Sequence, residues 1–285
     1  MLSQRQLKKR IRSIENTRKI ARAMEVISVT KLRRIEDRVA AMRPYVEQMD
    51  EILGNVIATI EDFKHPLMDE RKEKNHIAVC VVTSDSGLCG VYNNNILRTV
   101  EGFLRQQEDK VLQVIPVGKR GFSYFKNRGF AMPRTFVGLN GRYNELVIDE
   151  ITAFLQDLFL TRKADEVYVV YTHFETTVRH HPTIEKFLNI TPMVSATHRA
   201  DFIWEPSQSR IFAEAIPEYL ILKMRSFILQ SFACEHSLRI IAMSMAKQNS
   251  MELLEKLILL QNKTRQAAIT KEILEVVSAA EALKG

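Results

Sequence analysis

Alternating steps of four and three residues from Leu7 reach Ile11, Ile14, Arg18, Ala21, Glu25, Ser28, Leu32, Ile35, Val39, Met42, Val46, Met49, Leu53, Val56 and Ile60. All of these except Arg18, Glu25 and Ser28 are apolar. A stripe held over so many heptads is the pattern of a left-handed two-stranded seam, so residues 4–60 are predicted to form one long helix. Such a helix needs a partner of comparable length, and the far end of the chain supplies one. From Ser207 to Lys284 there is no glycine and Pro217 is the only proline. Apolar residues there recur at Leu222, Leu229, Ala233, Ile240, Met243, Leu254, Leu257 and Ala268, followed by a drifted stripe at Ile269, Ile273, Val276, Ala280 and Leu283. At a rise of about 1.5 Å per residue the two helices would reach about 85 Å and about 115 Å, so about 30 Å of the C-terminal one would project past its partner. Pro44 removes one backbone bond but leaves the register intact at Val46, Met49 and Leu53, which predicts a bend and not an end.

The middle of the chain follows a different period. The first helix must stop by Lys64-His65-Pro66, and 69–75 reads as a charged connector. Ile77–Thr83 is a β-branched apolar run, expected as a strand buried on both faces. It leads into Ser84-Asp-Ser-Gly-Leu-Cys-Gly90 and a helix starting near Asn93 and centred on 96–107. Strand, glycine loop and helix open a doubly wound unit, continued by a strand at Val111–Val117. A helix near 119–127, an extended piece at 132–137, a helix over 143–160, a strand at 166–172 and a strand at 183–190 pairing back on it complete the reading. The expected fold is therefore α/β: a long antiparallel coiled coil of N- and C-terminal helices (1–64 and 207–285) around an inserted Rossmann-like α/β domain (75–200).

No catalytic constellation stands out. The glycine loop matches neither GxGxxG nor GxxxxGK[ST], so the favoured reading is a tight turn in which Gly87 and Gly90 permit close packing. No His or Asp is placed beside Cys89 by sequence, which favours a buried structural thiol over a nucleophile. Cys80, Cys89 and Cys234 have no zinc spacing and are expected to be reduced. His180 and His181 abut Pro182 in an expected turn and lack the acidic company of a metal site, and His236 is expected to be a packed or pairing residue on the seam. No cofactor and no metal is expected.

Charge adds a partner to this picture. Residues 1–43 hold thirteen Lys or Arg against Glu15, Glu25, Glu36 and Asp37, a net +9 within a whole-chain +7. A basic helix beside a near-neutral body points to an acidic partner surface. No run approaches eighteen uncharged apolar residues, so membrane association is expected only through partners. The first fourteen residues carry no acid, as a transit peptide would, but the heptad register already runs through them, which favours a mature, cytoplasmic start.

Three stretches carry a family resemblance. Gln6-Leu-Lys-Lys-Arg-Ile-Arg-Ser-Ile-Glu-Asn-Thr-Arg-Lys-Ile20 with Ala23-Met24 and Lys31-Leu32, then Thr83-Ser-Asp-Ser-Gly-Leu-Cys-Gly90 with Tyr92-Asn93, and finally Asn262-Lys-Thr-Arg-Gln-Ala-Ala-Ile-Thr-Lys-Glu272 are similar to the N-terminal, central and C-terminal motifs of the gamma subunits of F-type ATP synthases. The chain departs from the pattern at Ser86, where the family usually has arginine, and at Met24-Glu-Val-Ile-Ser28, where it usually has Met-Lys-Met-Val-Ala, so Glu25 reverses a charge. It also lacks a cysteine-bearing insertion before the C-terminal helix, so the thiol regulation of chloroplast members is not expected.

The resemblance implies a rotor shaft turning inside a hexamer of three alpha and three beta subunits, with an epsilon-type subunit and the membrane c-ring at its globular end. The location it implies is the cytoplasmic face of the bacterial inner membrane. The implied contacts with the hexamer are Arg10, Arg12, Arg18, Lys19, Arg22, Met24, Glu25, Arg239, Arg265, Gln266, Thr270, Ile273, Val276 and Leu283. Asp85, Gly87, Cys89 and Gly90 form the central motif. Two other readings are a basic coiled-coil nucleic-acid-binding protein, which the interleaved Ile11, Ile14, Ile20 and Ile27 disfavour, and an enzyme built on the α/β domain, for which no site is visible.

Overall fold

A computed structural model describes residues 4–57, 65–71, 73–190 and 208–282. In chain order these form α1 (Gln4–Ile57), a single 3-10 turn (Pro66–Met68), β1 (His76–Val82), α2 (Tyr92–Arg105), β2 (Val111–Val117), α3 (Lys119–Lys126), α4 (Glu145–Leu160), β3 (Glu166–Phe174), β4 (His180–Leu188) and α5 (Gln208–Ala282). Ile60, at the end of the first stripe, and Leu283 lie outside the described residues. Both long helices run through their prolines, Pro44 in α1 and Pro217 in α5. The chain divides into two compact units, one of residues 28–239 and one of residues 1–27 with 240–285, and the division falls within α1 and α5.

In the larger unit four strands form one sheet in the order β2-β1-β3-β4. β1 pairs in parallel with both β2 and β3, and β4 returns antiparallel to β3. β1 is central and buried from Ile77 to Val82, as its unbroken apolar run requires of a strand covered on both faces. Ile77, Val79 and Val81 share one core with Val114 of β2 and with Ile96, Val100 and Leu104, which recur at four-residue spacing along α2. The extended piece at 132–137 lies beside β2 through two isolated parallel bridges, Gln113 to Ala131 and Val117 to Phe136. α4 starts after Asn144, whose side chain accepts from the Val147 amide.

One local expectation is corrected. His180, His181 and Pro182 are not a turn: they begin β4 and pair with Phe174, His173 and Thr172 of β3. Proline is tolerated because β4 is the edge strand, where a missing N–H breaks no inner ladder.

In the smaller unit the α1 stripe is the inward face. Leu7 and Ala21 are buried, and Ile11, Ile14, Arg18 and Glu25 are half-buried. On α5 the inward positions are Met243, Lys247, Ser250, Leu254, Leu257, Gln261, Thr264 and Ala268, again in steps of four and three. Four of them are polar, so an apolar count alone gives an interrupted stripe where the backbone keeps a continuous one.

Among the described glycines of the larger unit the closest approach is at Gly118, between β2 and α3. Its φ is +99°, and a Cβ there would lie 2.2 Å from the Thr83 carbonyl oxygen. Gly118→Ala is expected to destabilise the chain by at least about 1–3 kcal/mol from backbone strain alone, with the clash against Thr83 added. A lowered urea midpoint of the isolated chain checks this, and an unchanged midpoint contradicts it.

Candidate functional site

The central motif leaves β1 as a loop held from both sides. The Asp85 carboxylate accepts three backbone amides: Lys119 at 2.9 Å, Gly138 at 2.9 Å and Asn140 at 2.7 Å. The Asn93 side chain donates to Ser84 Oγ at 2.8 Å and to Cys89 Sγ at 3.1 Å, while its Oδ1 accepts the Ser84 amide at 3.1 Å. Thr83 Oγ1 donates to the Val117 carbonyl at 2.9 Å and accepts the Gly121 amide at 2.9 Å. These bonds fix the loop against the starts of α2 and α3 and against the 138–140 segment.

The third side of the loop is α5, which from Ser231 to Arg239 is buried at every residue. A helix segment with no solvent face must satisfy its polar side chains internally, and with the exception of Glu235 Oε2 it does so, largely on the C-terminal ends of β3 and β1. Ser231 Oγ accepts the Thr172 amide at 3.2 Å, Cys234 Sγ lies 3.6 Å from the Thr172 carbonyl, and Ser237 Oγ donates to Thr177 O at 2.6 Å. The Arg239 guanidinium donates to Glu235 Oε1 at 2.6 Å and to the carbonyls of Ser86 and Gly87 at 3.4 Å. In a doubly wound fold the crevice outside these strand ends is where a nucleotide binds. Here α5 fills it, and the loop offers Arg239 carbonyl acceptors, the wrong sign for a phosphate.

His236 completes the cluster. Its Nε2 lies 3.0 Å from the Gly141 carbonyl, which can only accept, so Nε2 carries the proton and Nδ1 accepts from Arg239 at 3.1 Å. Gly141 is required: at φ +62° its Cβ would sit 2.6 Å from His236 Nε2. Burial, with Arg239 and Lys31 adding to it, lowers the His236 pKa to about 4. Burial also pushes the Glu235 carboxyl up against the opposing pull of Arg239, and Glu235 Oε2 has no hydrogen-bond partner. Lys31 Nζ donates to Asn140 O at 2.9 Å and is lowered by burial, with Glu235 opposing. The thiols are inert by the same cause, since burial drives Cys80 to about 12 and raises Cys89 and Cys234.

The residues implied as partner contacts divide in two. Arg10, Arg12, Lys19 and Arg22 are exposed and Arg18 is half-buried, as are Met24 and Glu25, while Arg265, Gln266, Thr270, Ile273 and Val276 are exposed. Arg239 is corrected: it is 4% exposed and committed to Glu235, His236 and the central loop, because a guanidinium in a fully buried turn must spend its donors internally. Sequence reading missed Glu235 and Lys31. The available signal was an acid four residues before an arginine inside an otherwise apolar helix segment.

The family profile described as ATP synthase matches residues 3–283. The chain is 36% identical over 290 residues to the ATP synthase gamma chain of Protochlamydia amoebophila, covering all of both. It is 35% identical to that of Fusobacterium nucleatum, covering 99% of this chain and all of that one. The chain belongs to the ATP synthase gamma-chain family. Its fold is shared with a chain of the mitochondrial ATP synthase of Euglena gracilis, at a TM-score of 0.66 and 15% identity, covering 98% and 94% of the two chains. It is also shared with a chain of the Tetrahymena thermophila mitochondrial ATP synthase central stalk and c-ring structure, at a TM-score of 0.58 and 21% identity, covering 80% and 99%.

For this gamma-chain member the buried cluster carries a pH signature. The folded state holds His236 near 4 while the unfolded chain titrates near 6.5, so the unfolded state binds more protons between those values and stability rises with pH there. The His236 contribution is complete above about 6.5 and is lost, up to about 3 kcal/mol, as pH falls to about 4. Glu235, raised in the fold, opposes it on the acid side, so the comparison is with His236→Gln. The stability gap between that variant and the native chain is expected to change across pH 4 to 6.5, and a pH-independent gap contradicts the assignment.

Proposed function

We propose that this chain is the central-stalk rotor shaft of a proton- or sodium-translocating F-type ATP synthase, coupling rotation of a membrane ring to ATP synthesis by catalytic subunits around it and helping to regulate their ATPase activity. The chemistry belongs to those subunits, and this chain contributes shape and charge. Family membership over its whole length takes the place of the nucleic-acid reading. The partners proposed are three alpha and three beta subunits around the shaft, an epsilon-type subunit and the c-ring. The proposed location is peripheral, on the cytoplasmic face of the bacterial inner membrane. Among the described residues no helix is long and apolar enough to cross a membrane.

The observation that carries this reading is the end of α5. Beyond Ala268 every described side chain is exposed, including Ile273 at 57%, Leu274 at 61%, Val276 at 68% and Val277 at 52%. An apolar helix surface open on more than one side is an aggregation liability unless a partner covers it. An apolar bearing inside the hexamer supplies that cover, and Arg265, Gln266 and Thr270 precede it as polar contacts to the beta subunits. The exposed basic collar of Arg10, Arg12, Lys19 and Arg22, with Arg18, faces acidic loops of the same subunits.

Truncation after Lys271 tests the bearing. The shortened chain is expected to keep its helical circular dichroism, because the seam of the smaller unit and the whole larger unit precede the cut, and to be recovered poorly with alpha and beta subunits by gel filtration. Loss of fold or undiminished recovery counts against the reading. Neutralising the five collar charges together is expected to weaken hexamer binding and flatten its salt dependence, since the interaction is screened over about 8 Å at physiological ionic strength. Single neutralisations are expected to change little, because exposed pairs are worth about 0–1 kcal/mol each. Unchanged binding and salt slope in the fivefold variant contradict the collar.

A further inference from the structure

Glu25 is an acid at an inward position of α1, and the structure gives it a destination within its own chain. Its carboxylate receives Lys247 Nζ at 2.7 Å, across 222 positions of sequence, with the two side chains 20% and 32% exposed. Both residues are seam residues. Glu25 lies four residues after buried Ala21 in the α1 stripe, and Lys247 lies between buried Met243 and buried Ser250 in the α5 stripe. Each would be an unfavourable inward charge alone. They are compatible with the seam because they meet.

From this juxtaposition we infer that the Glu25–Lys247 pair sets the register of the two shaft helices and is a positioning pair for torque transmission. An apolar seam rewards burial without direction, so two helices paired through apolar residues alone could slip by one heptad and keep much of their buried area. A charged seam pair opposes that slip, since moving by one heptad sets a charge opposite an apolar side chain. Slip by seven residues in either direction would place Glu25 opposite Leu254 or Ile240 in place of Lys247. Register matters to the motor because it fixes how far the exposed end of α5 extends beyond the paired segment. The Glu25 charge is on this account compensated internally, by a lysine on the facing helix, and need not be answered by a partner. The torque part of the inference rests on the rotor reading, whereas the register part does not.

The test separates the two. Spin labels are placed through Asn16→Cys and Lys256→Cys, both exposed positions on the shaft helices, while the native thiols are buried. Pulsed dipolar spectroscopy on the full chain is expected to give one narrow distance in the native background. The distribution should broaden or shift in Glu25→Leu/Lys247→Leu, which keeps the seam apolar and folded, and become narrow again in Glu25→Lys/Lys247→Glu. In the complex reconstituted into liposomes, the apolar double variant is expected to hydrolyse ATP with a loss of ion uptake per ATP, and the exchanged pair to recover it. One narrow native distance in the apolar variant overturns the register assignment. A restored distance without restored coupling in the exchanged pair overturns the torque role alone, and failure of the native chain to assemble with alpha and beta subunits overturns the rotor reading instead.

Discussion

Everything in the larger unit depends on one requirement: the turn of α5 from Ser231 to Arg239 has no face in solvent, so each of its polar groups must be answered from within. The answers, which leave out only Glu235 Oε2, come from the end of β3, from the loop after β1 and from Gly141, and they make the sheet and the helix parts of one object. A helix packed by an apolar stripe alone could rotate or translate at modest cost. One held by Ser231, His236, Ser237 and Arg239 to separate backbone groups cannot, because displacement would strand several buried donors and acceptors at once.

The same requirement explains why a Rossmann-like sheet here is scaffold. The crevice at the carboxyl ends of β1 and β3 is occupied by a segment of the chain itself, and the glycine-bearing loop has turned its carbonyls to Arg239. Asp85 does for the loop what Arg239 does for the helix, gathering three amides from two later segments. Burial raises all three thiols, so they pack as neutral side chains.

In the smaller unit the balance is different. Its seam is only partly apolar on the α5 side, with Lys247, Ser250, Gln261 and Thr264 among the inward positions. Such a seam gives up stability for a defined alignment, as polar seam residues do in coiled coils generally. Past Ala268 every described side chain of α5 is exposed, its apolar residues included.

The sequence by itself determined the elements whose physics is local or periodic. The steps of four and three from Leu7 to Met49 identify the inward face of α1, because a helix repeats its face at that spacing whatever covers it. The β-branched run at 77–82, the Gly-bearing loop and the spacing of Ile96, Val100 and Leu104 likewise place β1 and α2. Three motifs spread from Gln6 to Glu272 carried the family. Tertiary structure decided what periodicity cannot express. It made Pro182 part of an edge strand, since an edge tolerates a missing donor and the sequence does not mark which strand is the edge. It took Arg239 inward, because α5 is buried on all sides there and one-face patterns have no symbol for that. It continued the α5 seam through lysine, serine, glutamine and threonine, whose inward placement depends on the residues of a helix more than two hundred positions away. It also paired Glu25 with Lys247, a partnership fixed by which two charges share a register.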